Sequence, residues 1–402
     1  MLTRLLLRGG RVIDPASGHD GKADVLIEGD RLADVDVGAP GLRAGLGAAR
    51  ADRPDTQVID CSGLVVTPGL IDLHVHVYPG LGDFCLHPDQ VGVGQGVPTV
   101  IDAGTSGVAT FGLARKWIDD PTVRTRVLAF MDPCQIYFAT KDFICHKLQI
   151  ANDERNLDPK STAAALDANS DVVIGLKVRA CSTSDPHVSP FLNAAVDVAG
   201  DRPVMVHLGR FPHTPTIPTP DLLRTLRAGD VITHAFRGGS GLLGADGKVT
   251  PEFRDAVERG VRLDVGHSGT DFRFSTARAL FDQGYVPTTI STDLNVFNVD
   301  HPVVSLAQTM SKMLAMGLTL TEVVAMATLA PATVIHREDE LGLLAPGRSA
   351  DVSVLQIQAG DVELSDGYET MTADQRLTPV GCVRGGEWIP AIPVTPGMRR
   401  PG

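Results

Sequence analysis

His74-Val75-His76 closes the run Pro68-Gly69-Leu70-Ile71-Asp72-Leu73 with two imidazoles at i and i+2. The run reads as an apolar strand, and strand side chains alternate faces, so both rings point the same way. Two neutral imidazoles on one face form a claw for a divalent metal such as zinc. The pair alone is a weak sign, but further metal-compatible residues follow it. Lys177 lies in Gly175-Leu176-Lys177-Val178, His207 in Val204-Met205-Val206-His207, His234 in Val231-Ile232-Thr233-His234, and Asp293 in Ser291-Thr292-Asp293-Leu294. Each sits at the end of an apolar run. The histidines offer neutral nitrogens and Asp293 an oxygen. Lys177 is the odd member, because an ammonium repels a metal and is costly to bury. A neutral lysine that has captured carbon dioxide becomes instead a carbamate, N6-carboxylysine, whose two oxygens can bridge two metals. Such metals, about 3.5–4 Å apart, would activate a bridging hydroxide while polarising a carbonyl. Asp293 would then take the proton and pass it to the leaving group.

The elements that must position these residues alternate along the chain. Apolar runs rich in β-branched residues occur at 70–73, 99–101, 127–130, 172–174, 204–206, 231–233, 261–265 and 288–290. Helix-like stretches fall at 189–199, 219–228, 251–259 and 275–283, followed by 303–316 and 320–336. The last of these opens with Thr319 or Thr321 near Glu322, a cap signal. β-runs interleaved with helices predict parallel strands, and eight is the number that closes a (β/α)8 TIM-like barrel. In that fold the active site lies at the C-terminal strand ends, where the six residues sit. An open doubly wound sheet competes, but the chain has no G-x-G-x-x-G or Walker sequence. Residues 1–67 and 338–402 use strand-and-hairpin language instead, as in Ala23-Asp24-Val25-Leu26-Ile27 and Ala350-Asp351-Val352-Ser353-Val354-Leu355. The fold class is therefore α/β. A barrel over 68–337 carries a small β-sandwich built from both termini, with a loose Gly/Ala-rich loop at 38–55.

Composition narrows the partners. An apolar fraction of 43% and a charged fraction of 21% describe an ordinary globular chain of 402 residues. A formal charge of −12 argues against nucleic acid, which needs clustered Lys and Arg. No apolar run approaches the ~20 residues of a membrane helix, and Leu5-Leu6-Leu7 is too short for a signal-peptide core. Six scattered cysteines without a C-x-x-C pair fit reduced thiols. These readings predict a cytoplasmic protein acting on a small molecule, with no nucleic acid or membrane partner. A homo-oligomer is compatible with them.

The motifs PGLIDLHVH, GLKV and TDLN, together with the ordered histidines, resemble the amidohydrolase superfamily. GGRVIDP and LAPGRSADVSVL are similar to its terminal β-sandwich, so the likeness spans nearly the whole chain. The resemblance implies two zinc ions, with His74 and His76 on the more buried metal and His207 and His234 on the more exposed one. It also implies that carboxylated Lys177 bridges them and that Asp293 binds the buried metal and acts as general acid and base. HVHVYPG and VIDAGTSG resemble the dihydroorotase-like branch known as deacetylases, which implies hydrolysis of acetylated α-hydroxy acids or N-acetyl amino acids. A dihydroorotase usually has arginine two residues after the second histidine, where this chain has Tyr78. D-aminoacylases tend to replace the lysine with a cysteine on the second strand, which here ends Ile101-Asp102-Ala103-Gly104. A cyclic amidase of the hydantoinase or dihydroorotase kind is the alternative enzyme. A catalytically silent scaffold is the alternative outside enzymes, and the intact set of six argues against it.

For the substrate, Arg179 lies two residues beyond Lys177 on the same strand face and can meet a carboxylate with its planar fork. Tyr137, His267 and Arg210 are further candidates from the ends of the third, seventh and fifth strands. His87, His146, His187, His213, His301 and His336 are given no role.

Overall fold

A computed structural model describes residues 4–36, 55–211 and 213–392. Apart from residue 55, the Gly/Ala-rich stretch 38–55 lies outside the described residues. Seven parallel strands run side by side in chain order: β6 (Ile71–Val75), β7 (Thr99–Gly107), β8 (Arg126–Asp132), β9 (Val173–Arg179), β10 (Val204–His207), β11 (Val231–Thr233) and β12 (Arg262–Leu263). The expected eighth strand, at 288–290, is present only as isolated bridges. Thr289 pairs with Asp264 on one side and Leu294 with Val75 on the other, which closes the ring. Side chains bond where backbone ladders are short. Asp264 accepts the hydroxyls of Thr289 and Ser291, each at 2.7 Å, and Asp72 accepts that of Thr292 at 2.6 Å.

The helices around the ring start where capping chemistry dictates. Asp158 and Ser189 cap Pro159–Ala168 and Pro190–Val198, each with proline at the first helical position. Thr319 and Glu322 form a capping box on Leu320–Ala327. The expected single helix over 320–336 is two, Leu320–Ala327 and Leu329–Val334, broken at Thr328 ahead of Pro331. A proline cannot extend the preceding helix without losing a backbone bond. Phe111–Ile118 and Pro159–Ala168 are helices that the apolar pattern did not reveal.

Both chain ends contribute to one eight-stranded mixed sheet: β1 (Arg4–Asp14), β2 (His19–Glu28), β3 (Arg31–Asp36), β4 (Thr56–Asp60), β5 (Val65–Pro68), β13 (Val352–Ser365), β14 (Thr370–Arg384) and β15 (Glu387–Pro390). It has its own apolar core, with Leu5, Val25, Ile27, Val66 and Val352 among its buried members. The tip of the β13–β14 hairpin leaves that sheet and reaches the barrel. Buried Asp366 accepts the backbone N–H of Phe274, Tyr368 and Glu369, each at 2.8 Å. Glu369 accepts that of Ser275 at 3.1 Å. Helix Phe274–Phe281 has no side-chain cap of its own, so the hairpin supplies one. Asp366→Ala should therefore cost about 1–3 kcal/mol, since the buried Phe274 amide and two partly buried turn amides lose their acceptor. Asp366→Asn, which keeps one acceptor oxygen, should cost less, as denaturant unfolding of the two variants would reveal.

Candidate active site

Strand geometry places the six residues, with one irregularity that matters. Ile71 and Leu73 belong to the cluster inside the ring, whereas Leu70, Val75 and Val77 pack outward against the helices. Simple alternation would send His74 and His76 outward as well. A register shift between Asp72 and Val75 reverses the parity, and both histidines point inward. Further round the ring, Arg179 pairs with His207, and His207 with Thr233. Lys177, Arg179 and His207 consequently share the inner face. Lys177 needs a gap across from it: a Cβ on Gly104 would sit 2.6 Å from the Lys177 Cβ, and Gly104 has φ +75°. The second strand carries glycine there because any other residue would displace the lysine.

Three imidazoles have one nitrogen committed to the protein. His74 Nδ1 is 2.8 Å from the Thr233 hydroxyl, which donates onward to Asp264 at 2.8 Å. His76 Nδ1 is 2.6 Å from the Thr105 hydroxyl, which donates to Asp102 at 2.8 Å. His234 Nδ1 lies 2.6 Å from the Gly266 carbonyl, which can only accept. A hydroxyl that donates to a carboxylate must accept from the ring, so Nδ1 carries the proton in each case. Every Nε2 is left with a free lone pair. Burial, aided by the Lys177 charge, holds His74 well below the usual imidazole range, and burial lowers His207 and His234 too. The rings are thus neutral donors.

The fourth donor faces the first two. Asp293 Oδ1 lies 3.3 Å from His74 Nε2 and 3.1 Å from His76 Nε2. It is buried and accepts no hydrogen bond among the described residues. Three lone pairs converging on one buried point repel one another unless a cation lies between them, and the ligand atoms fall within 4.8 Å of one another. The donor set therefore fits a divalent metal. The backbone is bent to make it so. His234 and Asp293 both have positive φ, 64° and 53°, and Asn295 and Asn298 each donate to the Asp293 carbonyl at 2.8 Å. Lys177 reaches the same place, with its amine 3.2 Å from His74 Nε2. Burial and the Arg179 charge pull that amine down to about 7. His207 stands beside His234, ring centroids 4.5 Å apart.

All six residues line one cavity of about 360 Å³. Arg179, Tyr137 and Arg210 line it too, whereas His267 does not. His267 is buried behind the wall, its Nε2 2.7 Å from the Lys312 amine, so the expected substrate contact is replaced by a core pair. Arg179 donates to Asp132 at 2.8 Å, and its guanidinium stacks 4.1 Å from the Tyr137 ring centroid. Several lining residues carried no sequence signal. Phe84, Phe143, Phe211 and Phe297 give the cavity an apolar collar, His146 lies among them, and Arg237 pairs with Asp271 at 3.2 Å. The spacing of Phe211 from His207 and of Arg237 from His234 was the available hint, since both lie in the loops those histidines open.

Residues 247–389 match the model of the amidohydrolase family. A deacetylase of Agrobacterium fabrum is 35% identical over 373 residues, covering 91% of this chain and 89% of its own. The chain belongs to the amidohydrolase family. A deacetylase of Brucella anthropi is 32% identical, covering 92% of this chain and 91% of its own. Among solved structures, a dihydroorotase superposes with a TM-score of 0.82 at 31% identity, covering 98% of this chain and 100% of that one. This amidohydrolase is a hydrolytic enzyme with an α/β barrel and a separate sheet from both termini. No helix among its described residues is long and apolar enough to cross a membrane.

The hydroxyl relays should govern metal affinity. Thr233→Val removes the group between His74 Nδ1 and Asp264, so metal affinity should fall about 10–100-fold. Competition with a chromophoric chelator would measure the fall, and unchanged affinity would contradict the relay.

Proposed function

We propose that the enzyme cleaves an acetyl ester or amide of a small carboxylic acid, an acetylated α-hydroxy acid or N-acetyl amino acid. The observation that carries this reading is Arg179, a buried guanidinium in the same cavity as the donor set. A carboxylate is the natural partner for a planar fork. The deacetylase names of relatives matching about nine-tenths of the chain support acetyl as the acyl group. Tyr78, where dihydroorotases usually have arginine, is fully buried and does not line the cavity, which counts against dihydroorotate.

His74, His76 and Asp293 would hold one zinc and His207 and His234 a second, with Lys177 as its carbamate between them. When bound, the metals supply Lewis acidity toward the acetyl carbonyl and lower the pKa of water. The rest belongs to the chain. Arg179 fixes the carboxylate, so that the acetyl group projects toward the histidines. The Asp293 carboxylate, through the oxygen not facing His74 and His76, takes a proton from the attacking water and returns it to the departing oxygen or nitrogen, giving acetate and the free acid. The Phe84, Phe143, Phe211 and Phe297 side chains shield the reacting carbonyl from bulk water. A small acetylated acid is the class of substrate for which such an apolar collar leaves room, and cytoplasmic location accords with its six free cysteines.

Metal analysis of native protein should find two metals per chain, and fewer than one would overturn the binuclear assignment. Lys177→Ala should lose metal and activity together; full retention of both would remove the carbamate. A panel of acetylated D- and L-hydroxy and amino acids, set against hydantoins and dihydroorotate, tests the substrate class. Turnover confined to the cyclic amides would replace this reading with a cyclic amidase. Arg179→Met should raise KM about 10–100-fold on the acids, the worth of a charged hydrogen bond. An equal loss on their neutral carboxamides would sink the anchoring role.

A further inference from the structure

His146 belongs to none of the roles above, yet it lies where two loops meet around Arg179. It is buried in the segment that follows β8, on the short helix Ile144–Lys147. Its Nε2 is 3.3 Å from the Tyr137 hydroxyl, in the same loop. Its Nδ1 is 2.8 Å from the Thr214 hydroxyl, in the loop that follows β10. Its ring lies against Phe211 of that second loop, centroids 4.0 Å apart. Tyr137 and Phe211 are the two rings that flank the Arg179 guanidinium, at 4.1 Å and 5.3 Å from its carbon. One imidazole thus ties together both walls of the guanidinium slot. Asp132 takes one Nη1 bond at the back of the slot, and Arg179 Nε is buried without a partner among the described residues.

Each hydroxyl can donate or accept, so these neighbours admit two ring tautomers, and the choice between them decides what the phenol can do. Burial and the Arg179 charge push His146 down to about 3, so the ring is neutral and carries a single N–H. Two hydroxyls share its two nitrogens, and one must accept while the other donates. With Thr214 donating to Nδ1, the Nε2–H donates to the Tyr137 oxygen. The phenol proton is then free for an oxygen in the cavity.

Resting on the carboxylate reading above, we infer that His146 is a positioning residue that turns Tyr137 into a second donor beside Arg179. A substrate carboxylate accepts one bond from the guanidinium and one from the phenol, with its oxygens set in the Tyr137–Phe211 slot. The pair reads the carboxylate's plane as well as its charge. A single arginine would hold an anion in several orientations, so this second donor is what aims the acetyl group at the metal donors.

The test uses full-length, metal-loaded enzyme and the acid that the panel turns over fastest, together with its primary carboxamide. His146→Leu should raise KM for the acid about tenfold, one hydrogen bond to a charged group, with a much smaller change in kcat. The carboxamide should lose less. His146→Gln, which can donate to the phenol and accept from Thr214, should restore most of the difference. Tyr137→Phe should match His146→Leu, and the double variant should be no worse than either single one. Equal losses on acid and carboxamide, or additive effects in the double variant, would overturn the inference. If His146→Leu does not fold, Tyr137→Phe and Thr214→Val carry the same comparison. Arg179→Met separates the two readings. If it discriminates acid from carboxamide while the His146 and Tyr137 variants do not, only this inference falls. If it does not discriminate, or no acid is turned over, the carboxylate reading falls and this one with it.

Discussion

Acceptor lone pairs forced together in a buried place are the constraint on which the rest of the structure depends. His74 Nε2, His76 Nε2 and Asp293 Oδ1 face one another at about hydrogen-bond distance, yet none has a proton to share. Their protons are committed elsewhere, to Thr233 and Thr105 and through them to Asp264 and Asp102. A chain that kept the six residues but lost these hydroxyls would let the rings turn and donate to Asp293, and the repulsion would relax. The relays preserve a charge-hungry point that only a cation can satisfy. The positive φ of His234 and Asp293 belongs to the same arrangement, as local strain offset by surrounding bonds.

Much of this was legible in the sequence, for a reason that lies in the barrel itself. A parallel strand buried on both sides must be apolar, so a polar residue at its end stands out against the run. Lys177 after Gly175-Leu176 and His207 after Val204-Met205-Val206 are conspicuous on those grounds alone. The inference from alternation reached the right face at His74 and His76 only because the register shift between Asp72 and Val75 takes in His74 and precedes His76. Ile71 and Leu73 also face inward, and no strict period of two accommodates all four. A bulge leaves no mark in an apolar sequence. The eighth strand was legible as a β-run at 288–290, but its ladder is so short that side chains of Asp72 and Asp264 complete it.

What could not be read lies in the loops. Tyr137, His146, Thr214 and Phe211 meet through two segments that share neither period nor motif, and their proximity exists only once the ring has closed. Loop side chains obey the geometry of whatever they rest on. His267 shows the converse. It occupies a strand-end position like those of the true site, but its backbone turns it toward Lys312 and away from the cavity. Strand-end position sets where a residue starts, and the turn that follows sets where it points.

The terminal sheet extends the same logic beyond the barrel. The β13–β14 tip caps helix Phe274–Phe281 and packs Gly367 so tightly on Gly269 that a Cβ there would lie 2.5 Å from the Gly269 carbonyl oxygen. Thr270 and Asp271, between these two contacts, and Ser268, next to Gly269, line the cavity. One wall of the site is therefore held from outside the barrel, by a segment nearly a hundred residues further along the chain. A barrel with the same six residues but a different hairpin would present that wall differently. Relatives that share the donor set can accordingly differ in what they hydrolyse, because the metal donors are fixed by the strands and the substrate walls by what leans on the loops.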